Sequence, residues 1–176
     1  DKGFFGFTIG EKDIAREMLA DQAYDFFQEQ SISYFGLEGP SFGSYFELAK
    51  YLHIDASSSL VVERDQRAYE LMNKIKGIKS LDQYLNGSSL SRLEIQMNDA
   101  EDSLTETDKQ FDLIFLDWLG QLAPTSVRQL DLAYDHFNDD GLIALTLMDS
   151  GVAQSRYQAH FNRKDQQVDF LREWSE

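Results

Sequence analysis

Phe111-Asp112-Leu113-Ile114-Phe115-Leu116-Asp117 is a near-continuous apolar run that closes on an acid. A strand of this kind is buried on both faces, the habit of parallel sheets covered by helices on either side. Working outward, the same pattern recurs. Ile32 to Leu37 is a short apolar run ending in the turn Glu38-Gly39-Pro40. Leu60-Val61-Val62 ends at Glu63, and Leu93, Ile95 and Met97 alternate before Asn98-Asp99-Ala100. Gly141 to Leu147 supplies a fifth strand. An acid therefore stands at the carboxyl end of four of five expected strands: Glu38, Glu63, Asp99 and Asp117.

Helical periodicity fills the intervals. Ile14, Met18, Leu19, Ala23 and Phe26 mark a helix over 11–29, and Phe42, Tyr45, Phe46, Ala49 and Leu52 one over 42–52. Ala68, Leu71, Met72 and Ile75 mark a third, stopped at Gly77. Val127, Leu130, Ala133, Tyr134 and Phe137 mark a helix before the fifth strand. The stretch 78–91 has no clear period, and 152–175 reads as one or two helices. The two prolines, Pro40 and Pro124, are expected in loops. Strands alternating with helices predict an α/β fold, a three-layer doubly wound sheet. In such sheets ligands bind at the carboxyl ends of the strands, near the reversal of strand order.

Composition narrows the function. The 176 residues suit one domain, with 31 acidic against 16 basic side chains and a net charge of −15. That balance disfavours unaided binding of nucleic acid, which draws on Lys and Arg, and leaves a nucleic-acid substrate conceivable only with a partner. It also fits plain solubility or a saline habitat. The absence of cysteine removes disulfides, thiolate metal sites and cysteine nucleophiles. No apolar run approaches the roughly 20 residues that span a bilayer, and Asp1-Lys2-Gly3-Phe4-Phe5 is not a signal peptide, so a cytoplasmic protein without a membrane partner is expected. The missing initial methionine points to a trimmed chain or a fragment.

The acids have bottom-up readings of their own. A carboxylate at a strand end accepts hydrogen bonds from a ribose diol or an amino group. Glu63 suits the diol, while Asp65 reads as the N-cap of the helix starting near Gln66. Gly36, Gly39 and Gly43 let backbone approach a ligand, although their spacing is not GxGxxG and no P-loop lysine follows. That spacing argues against an NAD-type dinucleotide domain.

Taken in order, these features resemble the class I S-adenosylmethionine-dependent methyltransferases over about residues 31–148. The resemblance rests on the acid and glycine turn Glu38 to Gly43, Glu63 after the second strand, Asn98-Asp99-Ala100 with Leu104, Phe111 to Asp117, and Phe137-Asn138-Asp139-Asp140-Gly141-Leu142-Ile143 leading into the fifth strand. The spacings from Gly43 through Glu63, Asp99 and Asp117 to Gly141 are 20, 36, 18 and 24. The turn departs from the family in that glycine follows the acid directly and Pro40 comes next.

The resemblance implies a Rossmann-like sheet of order 3-2-1-4-5, with residues 31–150 binding S-adenosylmethionine between an N-terminal helical segment (1–30) and a C-terminal one (151–176). The family's last strands are not evident after residue 150. Gly36, Glu38, Gly39, Pro40 and Gly43 would line the methionine end, Glu63 the ribose, and Asp99 with Ala100 the adenine. Asp117 and Trp118 would be catalytic, in Asp117-Trp118-Leu119-Gly120, which partly matches the loops of amino-group methyltransferases acting on nucleic acids. Trp118 either stacks on a planar acceptor or packs half-buried. The acceptor is a nitrogen or oxygen, small or presented by a partner, a nucleic-acid base among the candidates. The acceptor's identity and the oligomeric state stay open. A metal-dependent O-methyltransferase would pair Asp117 with Asp149, but Asp149-Ser150 stands where that group has Asp-Asn, so no metal is expected. His53 and His136 are expected at helix ends, and His160 is uninformative. The alternative to an enzyme is a binding or assembly module that keeps the fold without turnover.

Overall fold

The computed structural model describes residues 11–118 and 124–146. The Leu119-Gly120 loop, Asp149-Ser150, His160 and the helices expected at 152–175 lie outside them. The described elements are α1 (Glu11–Phe27), β1 (Ser31–Ile32), β2 (Tyr34–Leu37), α2 (Gly43–Ala49), β3 (His53–Ile54), β4 (Leu60–Val62), α3 (Gln66–Lys76), β5 (Glu94–Gln96), α4 (Ala100–Glu106), β6 (Phe111–Asp117), α5 (Pro124–Asp135) and β7 (Phe137–Thr146).

Five strands form one sheet in the order β5-β4-β2-β6-β7, with every pairing parallel. This is the expected 3-2-1-4-5 order. Strand side chains alternate between faces, and each face carries its own apolar cluster. Tyr34, Val61, Ile95, Leu113, Phe115 and Ala144 pack with Leu19, Tyr45, Leu48 and Met72 from α1, α2 and α3. Phe35, Leu60, Val62, Ile114, Leu116 and Ile143 pack with Leu104, Leu130 and Ala133 from α4 and α5. The crossovers before the reversal of strand order thus lie on one face and those after it on the other, as right-handed βαβ connections require.

Several boundaries move. The run expected as one strand from Ile32 breaks at Ser33, whose N–H donates to Asp112 Oδ2 at 2.7 Å and whose hydroxyl donates to the same oxygen at 2.8 Å. Asn138 Nδ2 donates to the other carboxylate oxygen. With its amide spent on a side chain, Ser33 leaves the ladder, and β1 pairs instead with β3, a strand that begins at His53. His53 is therefore in a strand rather than at a helix end. On α1 the buried stripe is Leu19, Ala20, Ala23 and Phe27, while Met18 and Phe26 face outward. Phe137, expected on a helix face, opens β7 and pairs with Phe111. Pro124, expected in a loop, is the first residue of α5, where its missing N–H has no helical partner to lose. The stretch 78–91 holds two short 3-10 turns, Lys79–Tyr84 and Leu90–Arg92.

Candidate functional site

Strand order reverses between β2 and β6, and an acid ends each of those strands, Glu38 and Asp117. Tyr34, Gly36 and Glu38 share one face of β2, as alternate residues must. Gly36 makes that row work. A Cβ at residue 36 would lie 2.1 Å from Tyr34 Oη, so only glycine lets the phenol pass along the strand. Tyr34 then donates its hydroxyl hydrogen to Glu38 Oε1 at 2.7 Å. The same oxygen accepts the Tyr45 amide at 2.7 Å, and Oε2 accepts the Ser44 amide at 3.2 Å.

Glu38 is thus buried, 3% exposed, and ties the end of β2 to the first turn of α2. Burial pushes its carboxyl up to about 7, against the pull of Tyr34, the Arg16 guanidinium and the two amides. Burial also raises the Tyr34 phenol well above its usual range, with Glu38 and Asp117 adding to the shift. Asp117 therefore faces the same cluster, and it is half-buried at the end of β6. Arg16 of α1 closes the arrangement. Its Nε donates to Ser44 Oγ at 3.3 Å, and its Cζ lies 2.9 Å from where a Cβ on Gly43 would stand.

The turn between β2 and α2 is set by backbone as well. Phe42 donates its amide to the Gly39 carbonyl at 3.0 Å and takes φ 50°, ψ 38°. A phenylalanine pays for that left-handed conformation only because its ring is fully buried, against Tyr45 and Phe46. Gly39 is half-buried and Pro40 buried in the same turn.

The other acids sit one strand further out. Glu63 ends β4, half-buried, and its Oε1 accepts the Asp65 amide at 2.7 Å. Burial raises its carboxyl. Asp65 caps α3 by accepting the Ala68 amide at 2.9 Å. Beside it an open depression of about 590 Å³ is lined by Asp65, Gln66, Arg67 and Glu70. Asp99 caps α4 through the Asp102 amide at 3.0 Å, and Ala100 is buried as the first residue of that helix.

Trp118 does not share the face of Asp117. Its ring packs with Leu116, Leu130 and Ala133, and its Nε1 donates to Gln129 of α5 at 2.7 Å. Of its two readings, the packing one matches this placement. The structure therefore ties Glu38 to the first turn of α2 beside Gly43, puts Asp117 at the end of the neighbouring strand, leaves Glu63 and Asp99 along the same edge of the sheet, and packs Trp118 against α5. It adds Tyr34 and Arg16, which sequence reasoning missed. The spacing Tyr34-x-Gly36-x-Glu38 carries a signal for the first; nothing local marks the partner of the second. Among the described residues no group of three metal-ligating side chains occurs, and no helix is long and apolar enough to cross a membrane.

No protein-family profile and no curated protein matches the chain. Solved structures do. A precorrin-6y C5,15-methyltransferase from Geobacter metallireducens superposes with a TM-score of 0.55 at 12% identity, over 96% of this chain and 76% of its own. A SAM-dependent methyltransferase from Agrobacterium tumefaciens gives 0.57 at 12% identity, over 80% and 46%. A SAM-dependent O-methyltransferase from Thermotoga maritima gives 0.55 at 15% identity, over 83% and 47%. The fold is that of the class I S-adenosylmethionine-dependent methyltransferases.

Proposed function

We propose that this chain binds S-adenosylmethionine along the carboxyl edge of its sheet and transfers the methyl group to a nitrogen or oxygen acceptor. The observation that carries the reading is Glu63, a half-buried carboxylate at the end of β4. A carboxylate there is the donor-accepting group a ribose diol calls for. Asp99 lies at the end of the neighbouring strand for the adenine amino group, and the buried Glu38 holds the turn rather than touching the ligand. The residues present fit the nucleoside end of the cofactor.

Bound there, the cofactor supplies an electrophilic methyl group on a sulfonium. The chain's own part is to orient and to accept a proton. Asp117, at the reversal of strand order, holds the N–H or O–H of the acceptor and takes its proton as the base. Trp118 holds the end of β6 to α5 through its bond to Gln129. The acidic surface suits a small acceptor, or a base presented by a partner that supplies the cations.

A second reading has its own observation. The spaces over Gly36 and Gly43 are filled from within by Tyr34 and Arg16, which fits a binding or assembly module that has kept the fold without turnover. Calorimetric titration with S-adenosylmethionine and S-adenosylhomocysteine, with NADH as control, decides between them. The expected result is micromolar binding of the adenosyl ligands. Glu63→Ala is expected to weaken it about tenfold to a hundredfold, the worth of hydrogen bonds to a charged group. No binding of either adenosyl ligand would sink the enzyme reading.

A further inference from the structure

We propose that the outward face of α1 is a docking surface for a cationic, partly apolar segment of another protein. The proposal goes beyond the cofactor reading and does not depend on it. α1 buries Leu19, Ala20, Ala23 and Phe27 in the cluster it shares with α2 and the sheet. Its other side is not a plain solvated face. Met18, Tyr24 and Phe26 are 61%, 47% and 50% exposed, so each of these large side chains has surface to give to a partner. Met18 and Phe26 stand two four-residue steps apart on one row of the helix, with Gln22 between them. Single exposed apolar residues are ordinary, but several on one face, bordered by polar groups, mark a contact surface.

The charge on that face selects the occupant. Glu17, Asp21, Asp25 and Glu29 recur every four residues, and all are exposed. Like charges at this spacing repel one another along a helix. Asp25 and Glu29 also stand at the carboxyl end of α1, where the dipole favours cations. The last turn of α1 holds no basic residue, and no lysine, arginine or histidine occurs from residue 17 to residue 49. Lys50, the next cation, is paired with Glu47. Among the described residues none of the four acids on this face takes part in an ion pair. An open depression of about 370 Å³ is lined by Tyr24, Asp25, Gln28 and Glu29. A lysine or arginine side chain finds a ring and two carboxylates there. The same charges disfavour the other occupants. A nucleic acid or an anionic membrane is repelled, and a second copy of a chain of net charge −15 sets acid against acid. The surface therefore fits a polypeptide segment with basic residues at four-residue spacing and apolar ones on the adjoining row.

The probe is a synthetic helical peptide as long as α1, with lysines four residues apart and leucines on the adjoining row. A second peptide carries serine in place of each leucine. Fluorescence anisotropy with the full chain should find the leucine peptide bound about tenfold more tightly than the serine peptide. Met18→Ser combined with Phe26→Ser is expected to weaken the leucine peptide about tenfold and leave the serine peptide unchanged. Asp21→Asn combined with Asp25→Asn is expected to weaken both and to flatten the dependence on salt. Asp131→Asn combined with Asp135→Asn makes the same change of charge at exposed positions of α5, and is expected to leave both affinities as they were. Thermal melts report whether each variant is folded. Should the Met18 and Phe26 pair fail to fold, Met18→Ser alone carries the test, with a smaller loss. No binding of the leucine peptide overturns the proposal. So does an equal loss in the α1 and α5 charge variants, which makes net charge the whole effect. A dimer in sedimentation that Met18→Ser with Phe26→Ser dissolves overturns it too, and makes a second copy the occupant. Binding of single-stranded DNA or phosphatidylserine vesicles that the same pair weakens overturns it in the same way.

Discussion

Glu38 shows how one buried residue can hold a turn together. Three donors hold it, and burial still raises its carboxyl from the usual 4.5 to about 7. The sign of the linkage follows. In the unfolded chain Glu38 ionises near 4.5, so between there and about 7 the folded chain keeps a proton that the unfolded chain releases. Its contribution to stability is full below the unfolded value and is lost as pH rises through the folded one. Glu38→Gln removes that loss. Urea unfolding of the two proteins at about pH 5 and about pH 8 should show the variant gaining on the wild type at the higher pH. A difference that stays constant would mean that Glu38 is ionised throughout. The row Tyr34-x-Gly36-x-Glu38 was legible as an acid and a glycine, because strand alternation puts them on one face. That the glycine serves a tyrosine of the same strand was not legible, because χ angles, rather than spacing, aim the phenol along the strand.

At the scale of elements, caps decide where the helices start. Asp65 and Asp99 both take the extended conformation and accept an amide three residues on. Asp65→Ala is expected to cost about 1 kcal/mol of stability, read as a fall in the urea midpoint without a change in slope, and to leave ligand affinity unchanged. A loss of affinity on that substitution would give Asp65 a share in the site. Elements also went astray for identifiable reasons. The break at Ser33 depends on Asp112, 79 residues away, so no local pattern announces it. The start of β7 at Phe137 depends on its pairing with Phe111, which overrides a helical spacing of apolar residues. On α1, Ala20 and Phe27 join the expected Leu19 and Ala23 on the inward face in place of Met18 and Phe26, because small alanines let the helix approach α2 closely.

For the whole molecule, the net charge of −15 sets the conditions under which the fold is most stable. Like charges on a compact surface repel, and salt screens them beyond about a Debye length. The melting temperature of the full chain should rise as sodium chloride is raised from about 0.01 M to about 0.5 M. A fall would mean that ion pairs such as Lys109–Glu94 and Arg128–Glu101 outweigh the repulsion. Under the proposed function, the same charge would repel an anionic acceptor unless a partner brings cations, and would draw in a cationic methyl donor.

The linear pattern by itself determined the parallel sheet and the acids that end its strands, while the 3-2-1-4-5 order followed from the resemblance those features carry. Buried parallel strands must be apolar throughout, and the polar residues that close them can lie only at the edge where ligands bind. Tertiary structure alone decided which partners the side chains at that edge find. Glu38 turns inward to the α2 amides, Asp65 and Asp99 close helices, and Trp118 packs against α5. Arg16 comes from another element altogether, to lie over Gly43. Each of these choices depends on which side chain from a distant part of the chain arrives at hydrogen-bonding distance, and that is a property of packing rather than of spacing.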